Sequence, residues 1–351
     1  MRYTTFGRTN GLRVSELALG TANFGSSWGG GASRDESRKM FERFAEAGGT
    51  FIDSADSYQI GQSEQLLGEL IGNDRDHFVL ATKFSLGHTR PHVSTTGNSR
   101  KNIIRSVDTS LKRLGTDYID LYWAHLPDTV TPVEEILTTL DHLTRAGKIL
   151  YAGLSNFPAW RVSRAVTTAE LRGWSPLAGI QFEYSLAERS ADRELLPMAE
   201  ALGLGTALWA PLGGGLLTGK YRESRRGRLS DWEGRGIRTE DCAQRVEVVD
   251  TVLSVAAATG LEPAQVAVAW LRSRAGSAAT AVVPIIGPRS VDQLETYLSV
   301  LDVTLEEASL RLLDEASAVR PGAPHELVAN TLDSVLGGGA GRITRQPVPV
   351  A

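Results

Sequence analysis

Short apolar runs alternate with longer stretches of helical periodicity along most of the chain. This alternation predicts repeated βα units built around a parallel sheet. Candidate strands fall at 16–20, 50–54, 78–83, 118–124, 149–154, 179–184, 205–210 and 281–286. Most are continuously apolar rather than alternating, as expected of strands covered on both faces. After the first strand, Met40, Phe41, Phe44 and Ala45 share one side while Arg38, Lys39, Glu42 and Arg43 occupy the rest, the pattern of a helix packed along one stripe. Ile103, Ile104, Val107, Leu111 and Leu114 repeat it after the third strand until Gly115 ends the helix. Ahead of the first strand, residues 2–14 carry the turn signals Gly7 and Asn10-Gly11, which predict a small hairpin.

Eight such units predict an α/β fold, a (β/α)8 TIM barrel with the hairpin capping its bottom and long loops at the C-terminal face. The expected layout is one barrel domain over 1–336, followed by a mobile Gly- and Pro-rich tail over 337–351. Two connections, 84–99 and 211–240, exceed the usual length of a βα loop and follow strands three and seven. They are read as substrate lid and cofactor clamp. A net charge of −4 supplies no basic field for nucleic acid, and the arginines of 222–228 are too few to reverse this. Cys242 is the only cysteine, which excludes an intrachain disulfide or a Cys-based metal site. The six histidines show no metal-ligand spacing, so no metal is expected. No signal-peptide pattern and no run approaching the ~20 apolar residues of a membrane span are present, so a cytoplasmic, non-membrane protein is expected. Oligomeric state is not legible, because no apolar stripe is left over after packing the helices on the barrel.

Asp53, Tyr58, Lys83 and His125 lie at or just beyond the ends of three successive strands, the edge where barrels gather their chemistry. Singly, each has an ordinary explanation: a turn aspartate, a loop aromatic, a solvated charge and a core histidine. Together they compose a proton-delivery unit, in which Tyr58 donates to a carbonyl oxygen and Lys83 lowers its pKa by favouring the phenolate. That chemistry points to carbonyl reduction.

A nucleotide site needs other residues, since no GxGxxG occurs. Gly213, Gly214 and Gly215 followed by Lys220, and the segment 284–294 with Arg289 and Ser290, lie after strands seven and eight, where barrels bind phosphate through loop amides and a helix N-terminus. Arg289 suits a phosphate monoester and predicts a preference for NADPH over NADH. Ser155, Asn156 and Gln181 end strands five and six and offer amide-recognising groups, with Tyr184 as a stacking surface. Phe84, Leu86, His88, His92 and Thr95 of the first long loop, with Trp28, are expected to wall a pocket for a moderately bulky, partly apolar carbonyl compound.

In this order, DSADSY (53–58), TK (82–83), His125 before LPD, GLSNF (153–157), QFEYSL (181–186), PLGGGLLTGKY (211–221) and PIIGPRSVDQL (284–294) closely resemble the aldo-keto reductase family over roughly residues 1–320. The resemblance implies NADPH bound without a Rossmann domain, with Tyr58 as general acid, Lys83 and Asp53 tuning it, and His125 orienting the carbonyl. It also implies a cofactor site of Thr21, Asp53, Ser155, Asn156, Gln181, Trp209, Leu212, Gly214, Lys220, Gly287, Arg289 and Gln293. Two places depart from the family: Ala210 replaces a serine, and Thr296 and Tyr297 replace the residues that usually face adenine. The likeness is strongest to bacterial members of the branch that includes the potassium-channel β-subunits. This branch raises a rival reading, an NADP(H)-loaded redox sensor or regulatory subunit. A keto- or enoyl-sugar reductase of secondary metabolism is a third reading.

Overall fold

Eight parallel strands pair in sequence and close on themselves: Ala18–Gly20 (β3), Phe51–Asp53 (β4), Val79–Phe84 (β5), Ile119–Ala124 (β6), Ile149–Ser155 (β7), Leu177–Glu183 (β8), Gly205–Trp209 (β9) and Val282–Ile286 (β10). The computed structural model describes residues 1–87, 92–223, 238–344 and 348. Closure rests on β10, which pairs with β9 on one side and β3 on the other, placing Ile285 opposite Ala18. Each predicted strand is present, displaced at its ends by no more than two residues.

Side-chain alternation separates two apolar cores. Outward residues such as Ile52, Leu80, Tyr122 and Phe182 pack under the helices, among them Arg34–Glu46 (α1), Gln62–Ile71 (α2), Arg100–Leu114 (α3), Val133–Arg145 (α4), Ala159–Arg172 (α5) and Leu195–Leu202 (α6). Inward residues such as Phe51, Ala81, Leu121, Trp123, Ala207 and Val283 fill the barrel. Gly153 is part of that filling, because a Cβ there would sit 2.3 Å from the Trp123 ring. Met40, Phe41 and Phe44 of α1 are buried as expected, and Gly115 caps α3 at φ 62°.

The hairpin forms from Tyr3–Thr5 (β1) and Arg13–Ser15 (β2). Phe6 follows β1 into the barrel floor, meeting Phe51 edge-on at 5.6 Å and Trp123 at 6.1 Å. The bottom is thus a packed seal, which leaves the opposite mouth for chemistry.

After β9, Lys220–Glu223 makes a single helical turn (α7). Ala243–Thr259 (α8) and Pro263–Ser277 (α9) precede β10, and Val291–Leu298 (α10) follows it. Glu307–Ser317 (α11) packs on α8, and His325–Val335 (α12) precedes a short turn at Ala340–Arg342. Residues 88–91 and 224–237, which include His88 and most of the arginines of 222–228, and part of 337–351, lie outside the described residues. No single described helix is long and apolar enough to cross a membrane.

Candidate active site

The same alternation that fills the barrel delivers its chemistry. Two residues beyond the inward Phe51, Ala81 and Trp123 come Asp53, Lys83 and His125, all on the inner face at the strand ends. Lys83 is 0 % exposed, and its ammonium donates to Asp53 Oδ2 at 2.5 Å, Ser54 O at 2.7 Å and Tyr58 Oη at 3.1 Å. Burial opposes that charge, but Asp53 and the Tyr58 oxygen outweigh it and hold the Lys83 pKa above the usual lysine value. Asp53 Oδ1 accepts from Gln181 Nε2 at 2.9 Å, so both carboxylate oxygens are committed.

His125 lines the same cavity, with its ring 6.1 Å from that of Tyr58. Burial, reinforced by the Lys83 ammonium, pushes its pKa down to about 3. Its Nδ1 is buried with no hydrogen-bond partner among the described residues. A neutral ring protonated at Nε2 fits this best, because a buried lone pair costs less than a buried unpaired N–H or a charge.

The cavity, about 1270 Å³, runs from Trp28, Leu86, Leu126 and His125 at one end to Arg289, Gln293, Thr296 and Tyr297 at the other. That exceeds the span of about 300–1,000 Å³ common for a single small ligand. Of the residues predicted for a cofactor, Asp53, Asn156, Gln181, Trp209, Leu212, Gly214, Lys220, Gly287, Arg289 and Gln293 line it. Thr21 and Ser155 stand behind the wall, fully buried: Thr21 Oγ1 donates to Asp53 O at 3.1 Å, and Ser155 Oγ accepts from Asn156 Nδ2 at 2.9 Å. Asn156 also donates to His125 O at 3.0 Å and accepts from Trp209 Nε1 at 3.0 Å, so it ties three strand ends together.

The glycines after β9 do more than loosen a loop. Gly213, Gly214 and Gly215 have φ of 57°, 72° and 103°, a left-handed run that side chains resist. A Cβ on Gly215 would come 2.7 Å from Lys220 Cε, so the bare backbone is what lets the lysine lie against it. At the far end, Ser290 caps α10 by accepting from Gln293 N at 3.3 Å, with Arg289 just before the cap. A long cleft with a glycine cradle, a lysine, and an arginine at a helix N-terminus fits a dinucleotide phosphate.

Four residues expected at the cavity from the sequence lie elsewhere. Tyr184 is not a stacking surface of the cavity: it is fully buried, stacks on Trp270 at 5.8 Å and donates to Asp192 at 2.6 Å. Phe84 is not a pocket wall: it follows the inward Lys83, so it faces outward, with its ring 5.0 Å from that of Tyr122. His92 and Thr95 are tied to each other in the loop and do not line the cavity, whereas Trp28 and Leu86 do. The sequence reading missed Leu126, whose only signal is its place after His125, and Ala264, which has none. It also missed Asp56, a buried carboxyl pushed up to about 7 by burial and the nearby Glu64. Among the described residues, no group of three His, Cys, Asp or Glu is placed to hold a metal ion.

A model of the aldo/keto reductase family matches residues 16–318. This chain belongs to that family. The family consists of oxidoreductases that use a nicotinamide cofactor and act on small carbonyl substrates. The chain is 35% identical to norsolorinic acid reductase of Aspergillus flavus, over 92% of this chain and 82% of that protein. It is 37% identical to the oxidoreductase YrpG of Bacillus subtilis, over 90% of this chain and 95% of the other. A Saccharomyces cerevisiae protein named for aryl-alcohol dehydrogenase activity is 31% identical, over 94% of this chain and 90% of its own length.

Proposed function

We propose that this aldo/keto reductase is an NADPH-dependent enzyme that reduces an aldehyde or ketone to an alcohol, with Tyr58 as the general acid. The observation that carries the reading is the Asp53–Lys83–Tyr58 chain of contacts beside a neutral His125, inside one long cleft. When bound, NADPH supplies the hydride received by the carbonyl carbon. Tyr58 gives its proton to the carbonyl oxygen and regains one from solvent, which balances the reduction. Lys83, 3.1 Å away, stabilises the phenolate left behind, and Asp53 holds the lysine in place. His125 offers Nε2–H to the same carbonyl oxygen and orients it.

Gly214, Lys220 and Arg289 would hold the phosphates, with Arg289 at the 2′-phosphate that separates NADPH from NADH. Gln181 spends its amide N–H on Asp53 and retains Oε1 as an acceptor for the carboxamide of the nicotinamide. Thr296 and Tyr297 line the far end, where Tyr297 would stack on adenine. Trp28 stands edge-on to Tyr58 at 6.1 Å, and Leu86, Leu126 and Trp209 line the same cavity. Such walls suit an aryl aldehyde or ketone, in keeping with the aromatic chemistry in the name of the yeast relative.

The test is NADPH oxidation across aromatic aldehydes, aliphatic aldehydes, dicarbonyls, ketosteroids and keto sugars, with Tyr58→Phe as control. The expected result is turnover on aryl carbonyls that falls at least about a hundredfold in Tyr58→Phe while NADPH affinity stays within a fewfold. Undiminished turnover in that variant would remove Tyr58 from its role. Saturable NADPH binding with no turnover on any class would favour a sensor.

A further inference from the structure

We propose that Gln59 is a positioning residue that fixes the Trp28 wall relative to the Tyr58 phenol and thereby makes the site favour flat aromatic carbonyl compounds over small aliphatic ones. The inference rests on the reductase reading above and extends it to substrate choice.

Gln59 and Ile60, directly after Tyr58, are consecutive left-handed residues at φ 50° and 58°. A residue with a Cβ adopts that conformation only at a cost, and glycine would serve the backbone better at both places. What a glycine at 59 could not supply is the amide side chain, which is buried and fully engaged. Its Nε2 donates to Ala22 O at 2.9 Å and to Gly30 O at 3.4 Å, and its Oε1 accepts from Trp28 N at 2.9 Å. One side chain thus gathers the first, middle and last parts of the loop after β3.

Gln62, one turn on, seconds it: its Oε1 accepts from Ser26 N and from Ser27 Oγ, each at 2.9 Å. The loop therefore hangs from the segment that carries the general acid, and the Trp28 ring meets the Tyr58 ring edge-on at 6.1 Å. An indole held at a set distance from the proton donor rewards a flat ring whose carbonyl reaches Tyr58. A two- or three-carbon substrate gains little from it.

Gln59→Gly is the informative variant, because it removes the amide and relieves the left-handed strain, so the fold is retained. Hydrogen exchange at the Trp28 amide should accelerate about tenfold or more, since its acceptor is gone. The KM for 4-nitrobenzaldehyde should rise about fivefold, while kcat, and both constants for methylglyoxal, stay within about twofold. In a Trp28→Ala background the same change should have little further effect on the aryl substrate, because both substitutions remove one wall.

Unaltered exchange at Trp28 would overturn the inference whatever the activity. So would equal losses on both aldehydes, an unchanged preference, or additive effects of the two substitutions. A parent enzyme that reduces no class of aldehyde or ketone, yet shows accelerated exchange in Gln59→Gly, would instead overturn the reductase reading.

Discussion

Replacing Lys83 by methionine isolates the electrostatic part of the proposed chemistry. The side chain keeps most of its length and loses a charge that contacts Asp53 at 2.5 Å and Tyr58 Oη at 3.1 Å. At 3.1 Å and an effective dielectric of about 20, a full ammonium–phenolate pair is worth about 5 kcal/mol. Only part of the phenolate charge has developed at the transition state, so about 2–4 kcal/mol is at stake, a roughly 30- to 1000-fold fall in kcat. The same substitution strands the buried Asp53 carboxylate with Gln181 as its remaining side-chain partner, which costs about 3–5 kcal/mol of stability. The double variant Lys83→Met, Asp53→Asn removes that stranded charge and should recover most of the stability while the rate stays low. The assay is single-turnover NADPH oxidation from pH 6 to 10, with thermal unfolding followed alongside. Because the cation lowers the phenol pKa, its loss should also move the alkaline limb of the profile to higher pH. A folded Lys83→Met enzyme with a rate within about threefold of the parent and an unmoved limb would refute the reasoning.

Arg289→Ala should weaken NADPH about 10- to 100-fold and NADH by no more than a fewfold, as read by fluorescence titration, and equal weakening would exclude the 2′-phosphate contact. Asp56 holds its proton to about pH 7 in the folded chain against an ordinary value of 3.8, so its contribution to stability is lost as pH rises through that window. Asp56→Asn should therefore raise the unfolding temperature more at pH 8 than at pH 5, by a difference worth at most about 3 kcal/mol, and an equal change at both would remove Asp56 as the source. His125 acts with the opposite sign: its pKa of about 3 lies below its ordinary 6.5, so its contribution is present above 6.5 and is lost as pH falls towards 3. In the Asp56→Asn protein this acid limb should stand out, and its absence from a urea-denaturation series between pH 3 and 7 would contradict a neutral His125.

Why the barrel was legible and parts of its mouth were not follows from one property of its strands. Runs such as 78–83 and 118–124 announce burial on both faces, which is enough to count βα units. The same uniformity hides which face each residue takes, and so Phe84 and Tyr184 were assigned to the cavity when both point away from it. Asp53 and Lys83 escaped this ambiguity because a buried ammonium needs a carboxylate beside it, and neighbouring strands bring the two together on the inner face, where His125 follows by the same alternation. The three glycines at 213–215 are legible as a phosphate loop, whereas their left-handed φ and the lysine laid against them leave no mark in the sequence. Gln59 was illegible for a similar reason, since its importance lies in backbone conformation and in contacts to residues about thirty positions earlier, neither of which leaves a periodic trace.

The seam between β3 and β10 makes the life of the nascent chain unusual. Ala18 is made early, yet its partner Ile285 emerges only near the end of the barrel. Until then β3 presents an open edge, and a chain arrested before residue 282 would carry two unpaired strand edges instead of none. The Phe6 plug also waits, because the glycines it packs against belong to β8 and β9. Barrel closure is therefore a zipping step that joins residues more than 250 positions apart, and until it is made the open strand edges are exposed to aggregation.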